Sequence, residues 1–256
     1  MGFFDLPAPI FSVVDQLLSL ALPGVIRLVL WGVLAGWLTM VVYRRLSNQD
    51  KIQELKLEQK KQQKIISSFD GEFEDLFPVI RHTLALGGRQ LGLSLGPALL
   101  ATIPILFIVI WVAGNFGNEQ PTAGTPIAIG VNPKNASLGP FDWSSPGAVD
   151  VTDNGWILNW PSADKPVALR QAGEDLIELP LEHSIPVIHK HQWWNWLMAN
   201  PAGYLPDNAL FESIDIALPE QQFLPFGPDW LHGWMFSFFV SFLLSSIGFK
   251  IALKID

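Results

Sequence analysis

The chain has 256 residues, 49% of them hydrophobic, and a formal net charge of −8 at pH 7. Its mean hydropathy of +0.29 is high for a water-soluble protein of this size and favours a membrane protein. The absence of cysteine excludes a disulfide framework, thiol catalysis and cysteine-based metal sites.

The N-terminal segment, residues 1–21, is predicted to form an amphipathic helix that lies on the outer leaflet of a membrane. Its apolar residues follow helical spacing, and its polar residues fall on the other side. A signal peptide is disfavoured because the segment lacks a basic beginning and contains Asp5 and Asp15. A plain extension of the first membrane span is the alternative.

Three apolar runs have the length of membrane-spanning helices: residues 22–43, residues 91–114 and a third within 229–256 that ends in a short tail. Each is close to the ~20 residues that cross a ~30 Å hydrocarbon core as a helix. The predicted fold class is therefore an α-helical membrane protein with three transmembrane helices. It also has a cytoplasmic helical hairpin and a small β-rich domain outside the cytoplasm.

The distribution of basic residues predicts the topology. Arg44 and Arg45 directly follow the first span, and loops rich in Lys and Arg stay in the cytoplasm. The N-terminus is then outside, the acidic, cation-poor region 115–228 is periplasmic, and the C-terminus with Lys250 and Lys254 is inside. This arrangement predicts a multi-pass protein of the inner, or cytoplasmic, membrane.

Residues 44–90 are predicted to form the cytoplasmic hairpin. A coiled-coil heptad pattern is followed by Asp70-Gly71, which breaks it, and by a second helical stretch that nears its end at Gly87-Gly88. The alternative is a solvated, charged connector helix. The predicted seam positions are Ile52, Leu55, Gln59, Gln62, Ile66 and Phe69.

The first span combines a packing motif with a cation. Gly32 and Gly36 form a GxxxG pair, which allows another helix to approach closely. Arg27 points away from that face, and a cation inside an apolar run is costly. It either snorkels to the headgroups or faces a water-filled groove or a polar partner.

The other two spans carry polar groups of their own. Pro104 should kink the second span, where Thr102 is a nearby hydroxyl. In the third span Ser237, Ser241 and Ser245 follow one another in roughly one helical stripe. Such a stripe either packs against a helix or lines a polar groove.

The region 115–228 is predicted to be a small β-rich domain because short strand-like segments alternate with turn residues. His183, His189 and His191 are interpreted as ordinary surface histidines, so no metal site is expected. No catalytic motif is found, and neither an enzymatic activity nor a cofactor is expected. Asn135-Ala136-Ser137 is a glycosylation sequon that matters only in a eukaryotic secretory protein.

The order of these elements resembles the YidC/Oxa insertase superfamily, and most closely its three-span branch. That branch contains the archaeal YidC-like proteins and the insertase subunits of the ER membrane complex and the Get pathway. The resemblance covers about 1–114 and 229–256. It rests on the outer amphipathic helix, the Arg-bearing first span, the basic hairpin and the Pro-containing second span.

The resemblance implies an ATP-independent insertase or chaperone that moves short translocated tails through a hydrophilic intramembrane groove. Arg27 occupies the position of the family's groove arginine, and Thr102, Ser237, Ser241 and Ser245 are candidates for the groove lining. The expected partners are nascent membrane proteins, the lipid bilayer, the ribosome and other membrane subunits, but not DNA. The alternative is a non-catalytic scaffold subunit of a larger membrane complex, in which Arg27 pairs with a partner's acidic residue.

Overall fold

The structure, a computed structural model, describes residues 2–71, 73–133, 141–145 and 149–255. The Asn135-Ala136-Ser137 sequon lies outside them. Two compact units are present. The sheet unit comprises Met1–Leu28 and Val109–Ser237, and the helical unit comprises Val29–Ile108 and Phe238–Asp256.

Helices predominate, at 52% of the residues, and in the part of the chain that the structure describes three of them are long and apolar enough to cross a membrane. This confirms the prediction of a mainly helical chain with three helices of spanning length. The helices are α1 (Ala8–Ser19), α2 (Gly24–Leu46), α3 (Gln49–Ser67), α4 (Phe73–Phe116) and α5 (Trp234–Ala252). The three candidate spans are α2, the Leu76–Phe116 part of α4, and α5.

Helix α4 is continuous where the sequence analysis placed a hairpin helix and a separate span. It runs for 44 residues without a break at Gly87-Gly88. A glycine within a helix costs only about 1 kcal/mol relative to alanine, and the neighbouring Leu86 is buried, so packing overrides the local preference. At 1.5 Å per residue the helix is roughly 66 Å long, about twice the thickness of a bilayer core. The kink at Pro104 stays a prediction.

The heptad pattern marks the buried side of α3. Ile52 and Leu55 are 1% and 6% exposed, and the later seam positions are half-buried. The side chain of Asn48 begins the helix by accepting a hydrogen bond from the backbone N–H of Lys51 at 3.1 Å. A contact of 3.3 Å between Glu58 Oε1 and His82 Nε2 joins α3 to α4, so the two helices lie side by side.

The β-rich prediction is confirmed in its coarse form, because the sheet unit contains a small antiparallel region. The strands are β1 (Pro126–Asn132), β2 (Phe141–Trp143), β3 (Val149–Thr152), β4 (Gly155–Asn159), β5 (Val167–Gln171), β6 (Glu174–Leu179), β7 (Val187–His189) and β8 (Ser213–Ile216). Among the described residues, one sheet has five strands in the order β3-β4-β1-β8-β7, and the other has three in the order β2-β5-β6.

One hydrophobic core contains residues from both sheets. Along β1 the buried positions alternate with more exposed ones, as a strand with one covered face requires. Phe141 of β2 stacks on Phe211 with ring centroids 4.1 Å apart, and Trp143 meets Trp156 edge to face at 5.7 Å. The sheet region therefore has an interior of its own.

Candidate functional site

Arg27 lies in the first turn of α2 and forms an ion pair with Asp15 of α1. Both side chains are largely buried, at 18% and 13% exposed. The chain turns at residues 20–22, between α1 and the start of α2, and the Asp15 carboxylate lies next to the Arg27 guanidinium. The sequence analysis left three surroundings open for Arg27: headgroups, a water-filled groove or a polar partner. In the structure Asp15 of the same chain is a polar partner of Arg27.

Aromatic side chains lie next to this ion pair. The Arg27 guanidinium lies 5.2 Å from the ring centroid of Phe116, at the end of α4, a cation–π geometry. Phe116 in turn contacts Trp111 and Phe223, each with ring centroids 5.9 Å apart. The indole N–H of Trp111 donates to Ser12 Oγ at 3.0 Å. Helix α1 is thus fastened to both α2 and α4.

The GxxxG pair of α2 meets the serine stripe of α5. A Cβ added to Gly32 would overlap Ser241 Oγ and lie 2.7 Å from the backbone oxygen of Phe238. A Cβ at Gly36 would overlap Ser245 Oγ in the same way. The packing role predicted for both glycines therefore has a partner helix within the chain.

This contact changes the interpretation of the serine stripe. Ser241 and Ser245 were candidates for a groove lining, but the structure places them in the helix contact. Their hydroxyls donate to the backbone oxygens of Phe238 and Phe242, at 2.8 and 3.0 Å. Ser237, also on α5, is 7% exposed and belongs to the sheet unit.

A different cleft lies in the helical unit, between α2, α4 and the C-terminal end of α5. Its volume is about 480 Å³. We call it the hydroxyl cleft, because Thr102, among the predicted groove residues, shares it with three other hydroxyl side chains. The polar lining is Thr39, Tyr43, Ser94, Thr102 and Lys250, and the apolar lining is Met40, Leu91, Leu95, Ala98, Ala101 and Ile255.

Three of the four hydroxyl groups donate hydrogen bonds within their own helices and remain acceptors. Thr39 donates to the backbone oxygen of Ala35 at 2.8 Å, Ser94 to that of Gln90 at 2.5 Å and Thr102 to that of Leu99 at 2.6 Å. Each hydroxyl oxygen keeps lone pairs for a visiting N–H group. Among the described lining residues, Lys250 is the one charged side chain, and it is exposed.

Sequence reasoning missed most of this cleft. Lys250 was used only as a topology marker, and Tyr43 and Ser94 were not considered. A signal was present, because small side chains recur at helical spacing from Ser94 through Ala98 to Thr102, a pattern that puts them on one face of α4. The sequence analysis considered the Pro residues of this span and not that face.

A second cavity, of about 610 Å³, lies in the sheet unit between α1, the end of α4 and nearby loops. His183 and His189 are on its wall. His189 packs on Tyr204, with ring centroids 5.7 Å apart. Among the described residues, no three His, Cys, Asp or Glu side chains form a group that could hold a metal.

An exposed ion pair between Arg170 and Asp175 lies on the surface of the sheet unit. The Asp175 side chain accepts a hydrogen bond from Arg170 Nε at 2.7 Å, and this bond and the carboxylate charge raise the pKa of the guanidinium. The pair is exposed, so it contributes little to stability. It has no role in either cavity.

No family model, curated protein or solved structure matches this chain. The resemblance to the YidC/Oxa superfamily thus rests on the order of elements and on the residues quoted for it. The geometry of the hydroxyl cleft and of the Arg27–Asp15 pair therefore guides the assignment of a function.

Proposed function

We propose that the chain is a membrane protein insertase or chaperone of the YidC/Oxa type, and that the hydroxyl cleft receives the polar tail of its substrate. In this proposal α2, α4 and α5 span the cytoplasmic membrane, with the N-terminus outside and the C-terminus inside. Arg44 and Arg45 in the last turn of α2 support this orientation, in which the cleft lies toward the cytoplasmic side.

The observation that carries the proposal is a row of polar side chains in a cleft between helices that are otherwise apolar. Large aliphatic side chains are exposed on all three helices, as a lipid-facing surface requires. Polar groups at such depth are costly and usually mark a pathway or a binding site. The exposed aliphatic residues include Leu30, Leu34, Leu99, Leu100, Leu243, Leu244 and Ile247.

The cleft would shorten the apolar path that a translocated tail must cross. It extends along α4 from Leu91 to Thr102, which is roughly 16 Å, or about half of a bilayer core. Within that distance the hydroxyl oxygens can accept hydrogen bonds from the tail's backbone N–H groups. Each N–H left unpaired would cost about 1–3 kcal/mol. This exchange needs no nucleotide hydrolysis.

Lys250 gives the cleft a preference among substrates. Its ammonium attracts an acidic or weakly charged tail and repels a tail rich in Lys and Arg. Arg27 does not add to this field, since Asp15 compensates its charge. The proposed substrates are therefore membrane proteins with short, neutral or acidic translocated tails.

Filling the cleft should block insertion. We expect Ala98→Phe to lower the insertion rate of a short-tailed reporter in proteoliposomes roughly 5- to 150-fold, the effect of losing about 1–3 kcal/mol of tail stabilisation. Protease protection of the reporter measures the inserted fraction. The matched control is Ala85→Phe, an exposed alanine on α4 outside the cleft. Equal insertion by wild type and both variants would contradict the proposal.

One argument for the scaffold alternative, the pairing of Arg27 with another subunit, is weakened. It requires Arg27 to pair with an acidic residue of another subunit, whereas Asp15 already supplies that carboxylate. What still favours it is the exposed tryptophan side chains of the sheet unit, which suit an interface. A scaffold would leave reporter insertion unchanged in the Ala98→Phe variant.

A further inference from the structure

The N-terminal segment and the turn around Trp193–Trp196 form one structural piece of the sheet unit. The backbone N–H of Phe4 donates to the oxygen of Leu197 at 2.8 Å. The Asp5 carboxylate accepts a hydrogen bond from the backbone N–H of Ala199 at 2.9 Å. A Cβ at Gly2 would lie only 2.6 Å from the Ala199 nitrogen, so the two backbones touch.

This piece exposes large apolar side chains. Trp193 is 79% exposed and Trp196 is 61% exposed, far more than tryptophan in a folded core. We call the set Phe3, Leu6, Trp193, Trp196 and Met198 the aromatic patch. In the sequence, its N-terminal part is followed by exposed apolar side chains on α1 and at its C-terminal end. These are Ile10, Val13, Val14, Leu17 and Leu20.

The aromatic patch has no outward charge. Residues 192–206 contain no ionisable Asp, Glu, Lys, Arg or His, and residues 1–26 carry only two charged side chains. Both are turned inward: Asp5 accepts from the backbone N–H groups of Gly2 and Ala199, and Asp15 pairs with Arg27. The acidic residues that argued against a signal peptide therefore leave the surface neutral.

We propose that the aromatic patch rests in the headgroup region of the outer leaflet and holds the sheet unit against the lipid surface; the proposal rests on the proposed membrane location. A neutral surface of tryptophan and aliphatic side chains fits the interface, where an indole buries its ring and keeps its N–H wet. A surface exposed to water would carry charged residues. A protein interface would add a polar rim.

The attraction is apolar, so its dependence on conditions differs from that of a basic surface. No Lys or Arg of the patch meets anionic lipid, and the contact should therefore persist in zwitterionic lipid and at high salt. This persistence distinguishes the aromatic patch from an electrostatic anchor, whose binding would weaken under both conditions.

Spin-label depth measurements test the proposal directly, because the chain has no cysteine and each introduced cysteine gives one site. The full chain is reconstituted in zwitterionic nanodiscs as the variants Trp193→Cys and Trp196→Cys. Val151→Cys, 72% exposed on β3, is the matched control, and Leu34→Cys on α2 is the membrane reference. Collision with oxygen and with a water-soluble nickel complex gives the depth of each label.

We expect the labels at 193 and 196 to lie within about 10 Å of the phosphate level and to favour oxygen, while the label at 151 favours nickel. If the labels at 193 and 196 are accessible to nickel while the label at 34 is embedded in lipid, the lipid contact of the aromatic patch is contradicted. The proposed membrane placement of α2 then still stands. A nickel-accessible label at 34 would overturn both. Labels at 193 and 196 that are shielded from both reagents would mean a protein partner, and would also overturn it.

Discussion

Replacing Gly32 with leucine is expected to unfold the helical unit, or to lower its stability by about 3 kcal/mol or more. The added Cβ would lie 2.7 Å from the backbone oxygen of Phe238 and would overlap Ser241 Oγ. The serine can rotate, but the backbone oxygen belongs to a helix and cannot move without separating α2 from α5. Thermal unfolding of the purified variant in detergent measures the loss.

Graded variants separate this packing effect from a general intolerance of leucine. Gly32→Ala carries the same Cβ but no further atoms, and it should lose less than Gly32→Leu. Gly92→Leu on α4 is the control, because nothing lies within 4 Å of a Cβ there and leucine favours helix over glycine. A Gly32→Leu variant that melts like wild type would contradict the α2–α5 contact.

Breaking the ion pair between α1 and α2 should be the second large effect. Asp15→Asn or Arg27→Gln leaves one buried charge without its partner, a change that typically costs about 3–5 kcal/mol. Both side chains keep some exposure to water, so we expect the lower end of that range. Removing both charges should cost less than the sum of the two single losses, and a double-mutant cycle in detergent measures the difference.

The same variants distinguish an internal ion pair from a groove arginine. If Arg27 served the substrate, Arg27→Gln would abolish insertion and Asp15→Asn would not. The ion pair predicts instead that both variants lose stability and insertion together. Arg170→Gln, which breaks the exposed pair with Asp175, is the matched control and should leave the stability close to that of the wild type.

The coarse fold could be predicted from the sequence because hydrophobic length and strand patterning are local properties. Three runs of spanning length predicted three long apolar helices, and the segments TPIAIGV, GWILNW and KPVALRQ are strands β1, β4 and β5. Element boundaries were harder. The glycines at 87 and 88 suggested a helix end, but their preference against a helix is weak, about 1 kcal/mol relative to alanine, and α4 continues through them.

The site depends on which residues meet in space, and local patterns do not contain that information. Gly32 and Ser241 were both noticed, but as separate features; the structure shows them to be two sides of one contact. Asp15 and Arg27 were also both noticed as separate features, and the structure shows them to be an ion pair. Of the predicted groove residues, Thr102 lines the hydroxyl cleft, and its neighbours there include residues of two other helices.

Site-specific photocrosslinking during translation tests the insertase proposal most directly. A photoreactive residue is placed at Thr102 in the hydroxyl cleft or at Leu100, an exposed residue on α4 that does not line the cleft, while a short-tailed membrane substrate is synthesised. The proposal predicts crosslinks to the substrate's polar tail from position 102 and few from position 100. Equal labelling of the tail from both positions, or crosslinks only to one stable partner protein, would contradict it.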